Sequence, residues 1–193
     1  MNIREESITI VASQAHEDWK KEHFAQRGAG TPRPKPVDPA KDQAWIDAHN
    51  GATTCNIADT GFAGLPTEWQ AENLAGATIA VDAVLATDVH DDAFIERTSD
   101  ALHAAWIDRN RSWAPPEQLL PYAELPEGEK NKDRVFVVNA LETVKRVRMN
   151  EWMKERERLM AEADDARWRS KSPAVEAEER RRAEEFRKDN GAF

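Results

Sequence analysis

The 193-residue sequence contains a single cysteine, Cys55, so an internal disulfide is impossible. A lone cysteine is typical of a reducing compartment, and a chain of this length can bury a stable core without a disulfide or a metal. The sequence also lacks any run of about 18 apolar residues, which a transmembrane helix would need. Its first ten residues, MNIREESITI, have no apolar core of the kind found in signal peptides. We therefore expect a cytoplasmic protein with no membrane partner.

Motifs that carry known chemistry are also missing. The five histidines and Cys55 show no HxxxH, CxxC or HExxH spacing, so no metal site is predicted. The sequence Gly-Ala-Gly at 28–30 lacks the preceding strand and the following Lys of a phosphate-binding loop. Acidic residues at the start of a predicted helix, Glu124, Glu127 and Glu129, are explained more simply as partners of the helix dipole than as catalytic carboxylates. We expect no enzyme, no catalytic residue and no cofactor.

Positive charge is in deficit. The chain has 27 Lys and Arg against 36 Asp and Glu, a formal net charge of −9. Binding to nucleic acid or to an anionic membrane needs Lys and Arg concentrated on one face, so neither is expected as a partner. The negative net charge does not exclude a positively charged ligand.

What the sequence does contain is helical periodicity. Apolar residues recur at three- and four-residue steps over 4–26, after Pro66, from Asp88 or Asp91 onward, and from Pro126 past Trp152. A short helix is predicted over 40–48, ended by Asn50-Gly51, and the proline-rich stretch 28–40 is predicted as a loop or tether. No stretch alternates long enough to predict a strand. The predicted fold class is all-α.

The end of the chain differs in composition. Residues 149–193 hold 11 Lys or Arg and 12 Asp or Glu, with few apolar residues, as in a solvated helix stabilised by i,i+4 pairs. The helix should break near 172–173, with Ser172 as N-cap and Gly191 as C-terminal stop. The predicted division is a helical domain over 1–148 and a charged helical tail over 149–193. The tail's candidate protein-contact residues are Trp152, Met153, Leu159 and Trp168.

The stretch 103–144 predicts a helical hairpin with a cleft. Its first helix is stopped by SWAPP at 112–116, and Pro126 begins the second, where a missing N–H costs nothing. The connecting loop carries Trp113 and Tyr122. The facing helices should bring further aromatic and charged side chains close to both.

This cleft is the candidate ligand site. An indole and Tyr122 would hold a flat base or a cationic group, Lys130 or Arg134 would meet a phosphate, and His103 or Arg109 would add hydrogen bonds. The alternative is that the tryptophans are core residues, since an indole at a helix contact buries a large area. The candidate ligand-binding residues are His103, Trp106, Arg109, Trp113, Tyr122, Lys130 and Arg134.

A weak internal repeat links the two halves of the domain. A shift of 60 residues aligns FAGLP at 62–66 with YAELP at 122–126, and a shift of 87 places His16 and Trp19 on His103 and Trp106. Such self-similarity predicts two stacked copies of one helical hairpin, each burying the apolar face of the other. A pseudo-twofold would bring the two HxxW faces together.

The segment with His103, Trp106, Trp113, Pro121-Tyr122, Leu125-Pro126, Lys130 and Asp133-Arg134 resembles the ryanodine-receptor repeat, the RyR domain, in the small form of bacteria and phages. Ala15-His16 and residues 66–70 resemble its leading half. The sequence departs from the family at Ser112, Ala114 and Leu120-Pro121, where the family usually has glycines and a His-Pro pair. The resemblance covers roughly residues 5–148 and implies a pair-of-repeats helical domain without established catalysis. It also implies a bacterial or phage-infected host.

Two functional hypotheses follow from these patterns. The first is a non-catalytic module, sensor or sponge, that binds a nucleotide-derived small molecule in the cleft. The second is a structural or assembly protein of bacterial or phage origin, in which residues 149–193 pair with another copy or another protein.

Overall fold

The computed structural model describes residues 2–169 and 173–189, which are mainly helical. The predicted all-α fold class is confirmed. The chain divides into two compact units, residues 1–148 and 149–193. In chain order the elements are α1 (Ile3–Arg27), β1 (Pro34–Pro36), α2 (Pro39–Ala48), β2 (Thr54–Asn56), α3 (Thr67–Leu85), α4 (Asp92–Asn110), α5 (Glu127–Arg169) and α6 (Pro173–Asp189).

Local capping signals fix several helix ends. Asn2 caps α1 through a 2.9 Å bond from the Glu5 N–H to its side-chain oxygen. Of the two aspartates predicted to begin α4, Asp91 is the cap, since its Oδ1 accepts from the backbone N–H of Phe94 at 2.8 Å. Asn50 and Gly51 both have positive φ, 55° and 80°, so this pair ends α2 in the left-handed conformation as predicted.

The expectation of no strands was wrong at one place. Strands β1 and β2 form a small antiparallel ribbon in which Lys35 faces Cys55. Pro34 and Pro36 fix their φ angles and so hold the backbone of β1 extended, which lets a strand of only three residues pair. Because proline has no N–H, Lys35 is the one residue of β1 whose backbone can donate a hydrogen bond. A run of three residues is too short to show an alternating pattern in the sequence.

The core of the first unit is built from four helices. Val11 and Ala12 of α1, Ala77 and Val81 of α3, Leu102 of α4, and Val137 and Ala140 of α5 are buried in one apolar cluster. Gly76 makes the contact between α3 and α5 close, because a Cβ there would lie 2.9 Å from Cε1 of Phe136. The first part of α5 is therefore a core helix, although its later part is strongly charged.

Helix α5 runs past Trp152, as predicted, and ends at Arg169. The predicted interruption near 172–173, with its cap Ser172 and the stop at Gly191, involves residues outside those described. Helix α6 begins at Pro173, with Glu176 in its first turn and Arg187 and Lys188 in its last. These charges complement the helix dipole.

Candidate functional site

A cavity of about 530 Å³ opens between α1, α3, α4 and α5 in the first unit. Its apolar walls come from two indoles, one phenylalanine ring and aliphatic side chains. Its polar walls carry four carboxylates, one lysine, one histidine and two amides. The walls are Ala15, Asp18, Trp19, Glu22, Asn73, His103, Trp106, Gln118, Leu125, Glu129, Lys132, Asp133, Val135 and Phe136.

Stacked histidines position the two indoles. The His16 ring stacks on Trp19 with centroids 5.7 Å apart, and His23 stacks on the same indole at 5.3 Å. In α4 the His103 ring is stacked with Trp106, with a centroid distance of 6.2 Å and an interplanar angle of 13°. The i,i+3 and i,i+4 spacings place these rings on one helix face.

Each HxxW histidine is tied to a loop carbonyl. Nε2 of His16 donates to the carbonyl of Thr60 at 2.9 Å, and Nε2 of His103 donates to the carbonyl of Leu120 at 2.9 Å. Both carbonyls come two residues before a short 3-10 turn, which starts at Phe62 in the first case and at Tyr122 in the second. The parallel contacts agree with the aligned segments in the sequence, while the two-repeat interpretation itself stays a prediction.

His103 also meets a half-buried carboxylate in the cavity wall. Its Nδ1 lies 3.4 Å from Oδ2 of Asp133, and the Asp133 side chain is only 18% exposed. Burial raises the pKa of Asp133 to about 6, although the neighbouring His103 favours its ionised form. Asp133 therefore changes charge in a range close to neutral pH.

The other three carboxylates of the wall have polar partners within the protein. Asp18 accepts hydrogen bonds from Lys21 at 2.8 Å and from Asn139 at 3.2 Å. Burial raises the pKa of Asp18, but these two bonds outweigh it and hold the pKa below its usual value. Glu22 accepts a bond from Gln26 at 2.8 Å.

The fourth carboxylate of the wall, Glu129, is paired with Lys132, the one Lys or Arg of the wall. Nζ of Lys132 lies 2.7 Å from Oε1 of Glu129, one turn away on α5. This pair leaves the wall with an excess of negative charge.

Of the seven residues predicted to bind ligand, His103 and Trp106 line the cavity. Trp113 lies outside its walls, 61% exposed, with its ring edge-on to Trp106 at 6.1 Å. Tyr122 is buried, donates to Glu96 at 3.1 Å, and has Nζ of Lys130 5.7 Å from its ring centre.

The three predicted cations outside the cavity wall each contact a carboxylate. Lys130 pairs with Glu127 at 3.3 Å, and Arg109 pairs with Glu72 at 3.3 Å. Arg134 bonds to Glu96 at 2.6 Å and to Glu127 at 2.8 Å. None of the three lines the cavity, so their predicted role in holding a phosphate stays a prediction.

Helix α1 supplies wall residues that the predicted site omitted. These wall residues share one helical face, because they follow each other at steps of three, one and three residues. They are Ala15, Asp18, Trp19 and Glu22. The HxxW alignment of Trp19 with Trp106 was the available signal for the indole. No comparable signal indicated that the two carboxylates would face α5.

The predicted protein-contact residues lie in the second unit. Trp152 is 59% exposed, with the guanidinium of Arg156 5.9 Å from its ring centre. Met153, Leu159 and Trp168 have exposed side chains as well. Their contact role stays a prediction.

Across the described ranges no helix is long and apolar enough to cross a membrane. The same residues contain no group of three or more His, Cys, Asp or Glu arranged to hold a metal ion. The chain matches no family model, and comparison with curated proteins and with solved structures found no significant match to either.

Proposed function

We propose that this chain is a non-catalytic module that binds a small molecule in the cavity between α1, α3, α4 and α5. The observation that carries the proposal is the cavity itself: about 530 Å³, walled by Trp19 and Trp106 and by polar side chains, four of them carboxylates. Its volume lies within the range of about 300–1,000 Å³ of natural ligand sites, which combine aromatic walls with polar groups that fix the ligand's orientation. The resemblance to RyR domains supports the same function.

The composition of the walls favours binding over covalent catalysis. They include no Ser, Thr or Cys, and the amine of Lys132 is already paired with Glu129. Nε2 of the one wall histidine, His103, already donates to Leu120, which leaves only Nδ1 for proton transfer. That nitrogen faces Asp133.

A thermal-shift screen with nucleosides, mononucleotides, dinucleotides and organic amines tests the proposal. At least one class should raise the melting temperature of the parent protein, because a ligand that binds only the folded state stabilises it. The Trp106→Ala variant removes one wall and should lose the shift. Trp113→Ala is the matched control, since it removes an exposed indole outside the wall, and it should keep most of the shift.

The stabilities of the same two variants without ligand show whether the aromatic cluster is a ligand site or part of the core. Because Trp113 is exposed, its loss should cost the free protein less than about 1.5 kcal/mol, whereas a buried Trp→Ala costs about 3–5 kcal/mol. If no ligand class shifts the melting temperature and both variants are equally unstable, the aromatic cluster is core and the proposal is wrong.

The second unit favours a second candidate function, assembly through residues 149–193. Large apolar side chains that include Trp152, Met153, Leu159 and Met160 are exposed along one long helix. Apolar surface on an otherwise charged helix is typical of a segment that packs on another chain.

Light scattering coupled to size exclusion tests this candidate. Changing Trp152, Met153 and Leu159 together to polar residues should lower the mass of an oligomer while the far-UV spectrum of the folded protein stays the same. A parent protein that is already monomeric, or an unchanged mass, contradicts assembly through these side chains.

A further inference from the structure

The walls of the cavity are strongly unequal in charge. Four carboxylates line it, those of Asp18, Glu22, Glu129 and Asp133, against the single ammonium of Lys132. That ammonium is already within 2.7 Å of Glu129. A phosphate in this space would face carboxylates at short range with no unpaired cation in the wall, which costs several-fold in affinity for each like charge.

The carboxylates are also incompletely satisfied by the protein. No Lys or Arg within 2–169 or 173–189 forms an ion pair with Glu22, whose described hydrogen bond comes from the neutral amide of Gln26. Asp133 has a histidine as its neighbour, which is charged only when protonated. A positive group entering the cavity would therefore gain contacts that the protein's own side chains do not provide.

A metal ion is not the occupant that fits these groups. The carboxylates are spread over α1 and α5, and the described residues contain no cluster of three or more acidic, His or Cys side chains that converges on one point. A volume of about 530 Å³ also far exceeds the space that a bare ion needs. The occupant must have an organic body.

Aromatic and aliphatic walls suit the body of such a ligand. Trp19 and Trp106 contribute indole surface to the walls. Imidazole rings already stack on both indoles, so this surface is counted as an apolar wall for the ligand's body and not as a free cation–π face. Leu125, Val135 and Phe136 add apolar surface that would cover a hydrocarbon or aromatic part.

We infer that the cavity selects a small organic cation, an ammonium or guanidinium group carried on an aromatic or aliphatic body, held between the two indoles and the carboxylates of α1 and α5. The inference rests on the proposed function, because it names the ligand class of the same cavity. It replaces the phosphate-bearing ligand expected from the sequence with one of opposite charge.

Matched pairs of probes test the sign of the charge separately from the fit. Benzylamine, benzamidine and tryptamine are cations; benzyl alcohol, benzoate and indole-3-propionate have similar bodies without the positive charge; AMP supplies a base with a phosphate. Titration calorimetry at pH 7.5 in about 0.15 M salt limits the general attraction of an acidic protein for cations. We expect the cations to bind at one site per chain, at least tenfold more tightly than their partners.

Variants locate the effect in the cavity. Glu22→Gln should weaken cation binding about tenfold, as should Asp18→Asn, and both changes together should weaken it further. Glu142→Gln is the matched control, because it removes the same charge from an exposed position on α5 outside the wall, and it should leave the affinity unchanged. Far-UV dichroism checks that each variant is folded, and Glu22→Gln alone suffices if the Asp18 variant is not.

Each outcome decides. Cation preference that Glu22→Gln leaves unchanged, or that Glu142→Gln reduces equally, overturns the inference, because the preference then does not come from the cavity. Cation preference that Glu22→Gln reduces and Glu142→Gln does not reduce supports the inference. Equal or tighter binding of the neutral or anionic partners, or of AMP, overturns the cationic ligand while the cavity remains a binding site. Binding of no probe at millimolar concentration, whatever its charge, overturns the inference together with the proposed function.

Discussion

The hydrogen bond from Nε2 of His103 to the carbonyl of Leu120 determines how the ring meets Asp133. With Nε2 protonated, two arrangements put a proton between Nδ1 and the Asp133 oxygen 3.4 Å away. Either Nδ1 is protonated and donates to the carboxylate, or Nδ1 accepts a hydrogen bond from the protonated carboxyl group. A neutral histidine beside an ionised Asp133 would set two lone pairs against each other. The pair is therefore stable with a shared proton and less so once that proton is lost.

The pH dependence of stability should show this shared proton. The pKa of Asp133 is raised in the folded protein to about 6 from its ordinary value of 3.8, mainly by burial. A raised pKa means that the folded state holds the proton more tightly than the unfolded state, so this contribution to stability is complete below pH 4 and is lost as the pH rises through about 6. The charged groups near it are His103, Glu129 and Lys132, with Asp18 and Glu22 in the same cavity wall.

Asp133→Asn should remove that loss. Its amide can still donate to Nδ1 of His103 but cannot ionise, so the variant should gain about 2 kcal/mol of stability relative to the parent between pH 4.5 and pH 7.5. Urea unfolding at both pH values gives the difference. Asp108→Asn, at a side chain that is 77% exposed, is the control and should follow the parent. Parallel pH profiles for the parent and Asp133→Asn would contradict the raised pKa.

At the scale of the elements, the N-terminus of α3 is capped from another helix. Pro66, the residue before α3, has no side chain that can cap it. Instead the buried Asp42 of α2 accepts from the backbone N–H groups of Thr67 at 2.8 Å and Glu68 at 3.2 Å. Asp42 itself departs from helical geometry, with φ −130° and ψ 35°, so α2 is kinked where its side chain turns toward α3.

This contact shows why some of the fold was predictable and some was not. The start of α4 was predictable because Asp91 is next to the helix that it caps. Asp42 is 25 residues from Thr67, and no local pattern connects the two. The β1–β2 ribbon is a similar case, since its two strands pair over about twenty residues and each is only three residues long.

Asp42→Ala should destabilise the first unit by about 2 kcal/mol, because it leaves two N–H groups at the start of α3 without their acceptors. Asp42→Asn keeps one acceptor oxygen and should cost less. Asp47→Ala removes an exposed carboxylate from the same helix, where it contacts Gln43, and should cost less than about 0.5 kcal/mol. Denaturant titrations compare the three. Similar losses for Asp42→Ala and Asp47→Ala would contradict the capping role.

At the scale of the whole molecule, the helical periodicity of apolar residues predicted the helices better than it predicted the residues of the cavity wall. His103 and Trp106 were predicted as site residues because they follow one face of α4, and both line the cavity. The carboxylates of α1 join the wall only because α1 packs beside α5, with Gln14 accepting from Thr143 at 3.1 Å. Contacts between helices over a hundred residues apart leave no periodic signal in the sequence.

The boundary between the two units, after residue 148, can be tested by truncating the chain there. Val147 is buried, whereas none of the described residues after Arg148 is buried. The core therefore receives its last contribution from α5 about one turn before Trp152. Residues 149–193 add charge and helix but no described buried side chain.

A chain ending at Arg148 should consequently fold cooperatively, with a melting temperature within about 5 °C of the full-length protein, since only the fraying of a cut helix end is added. A chain ending at Asn139 is the matched control. It also lacks Ala140, Thr143, Val144 and Val147, which are buried in the first unit. Losing these core side chains at about 1–3 kcal/mol each is comparable with the stability of an ordinary domain, about 5–15 kcal/mol. Thermal unfolding followed by far-UV dichroism should therefore show one sharp transition for residues 1–148 and none for residues 1–139. Aggregation or a broad, non-cooperative transition of residues 1–148 would mean that the second unit stabilises the first through contacts that burial does not reveal.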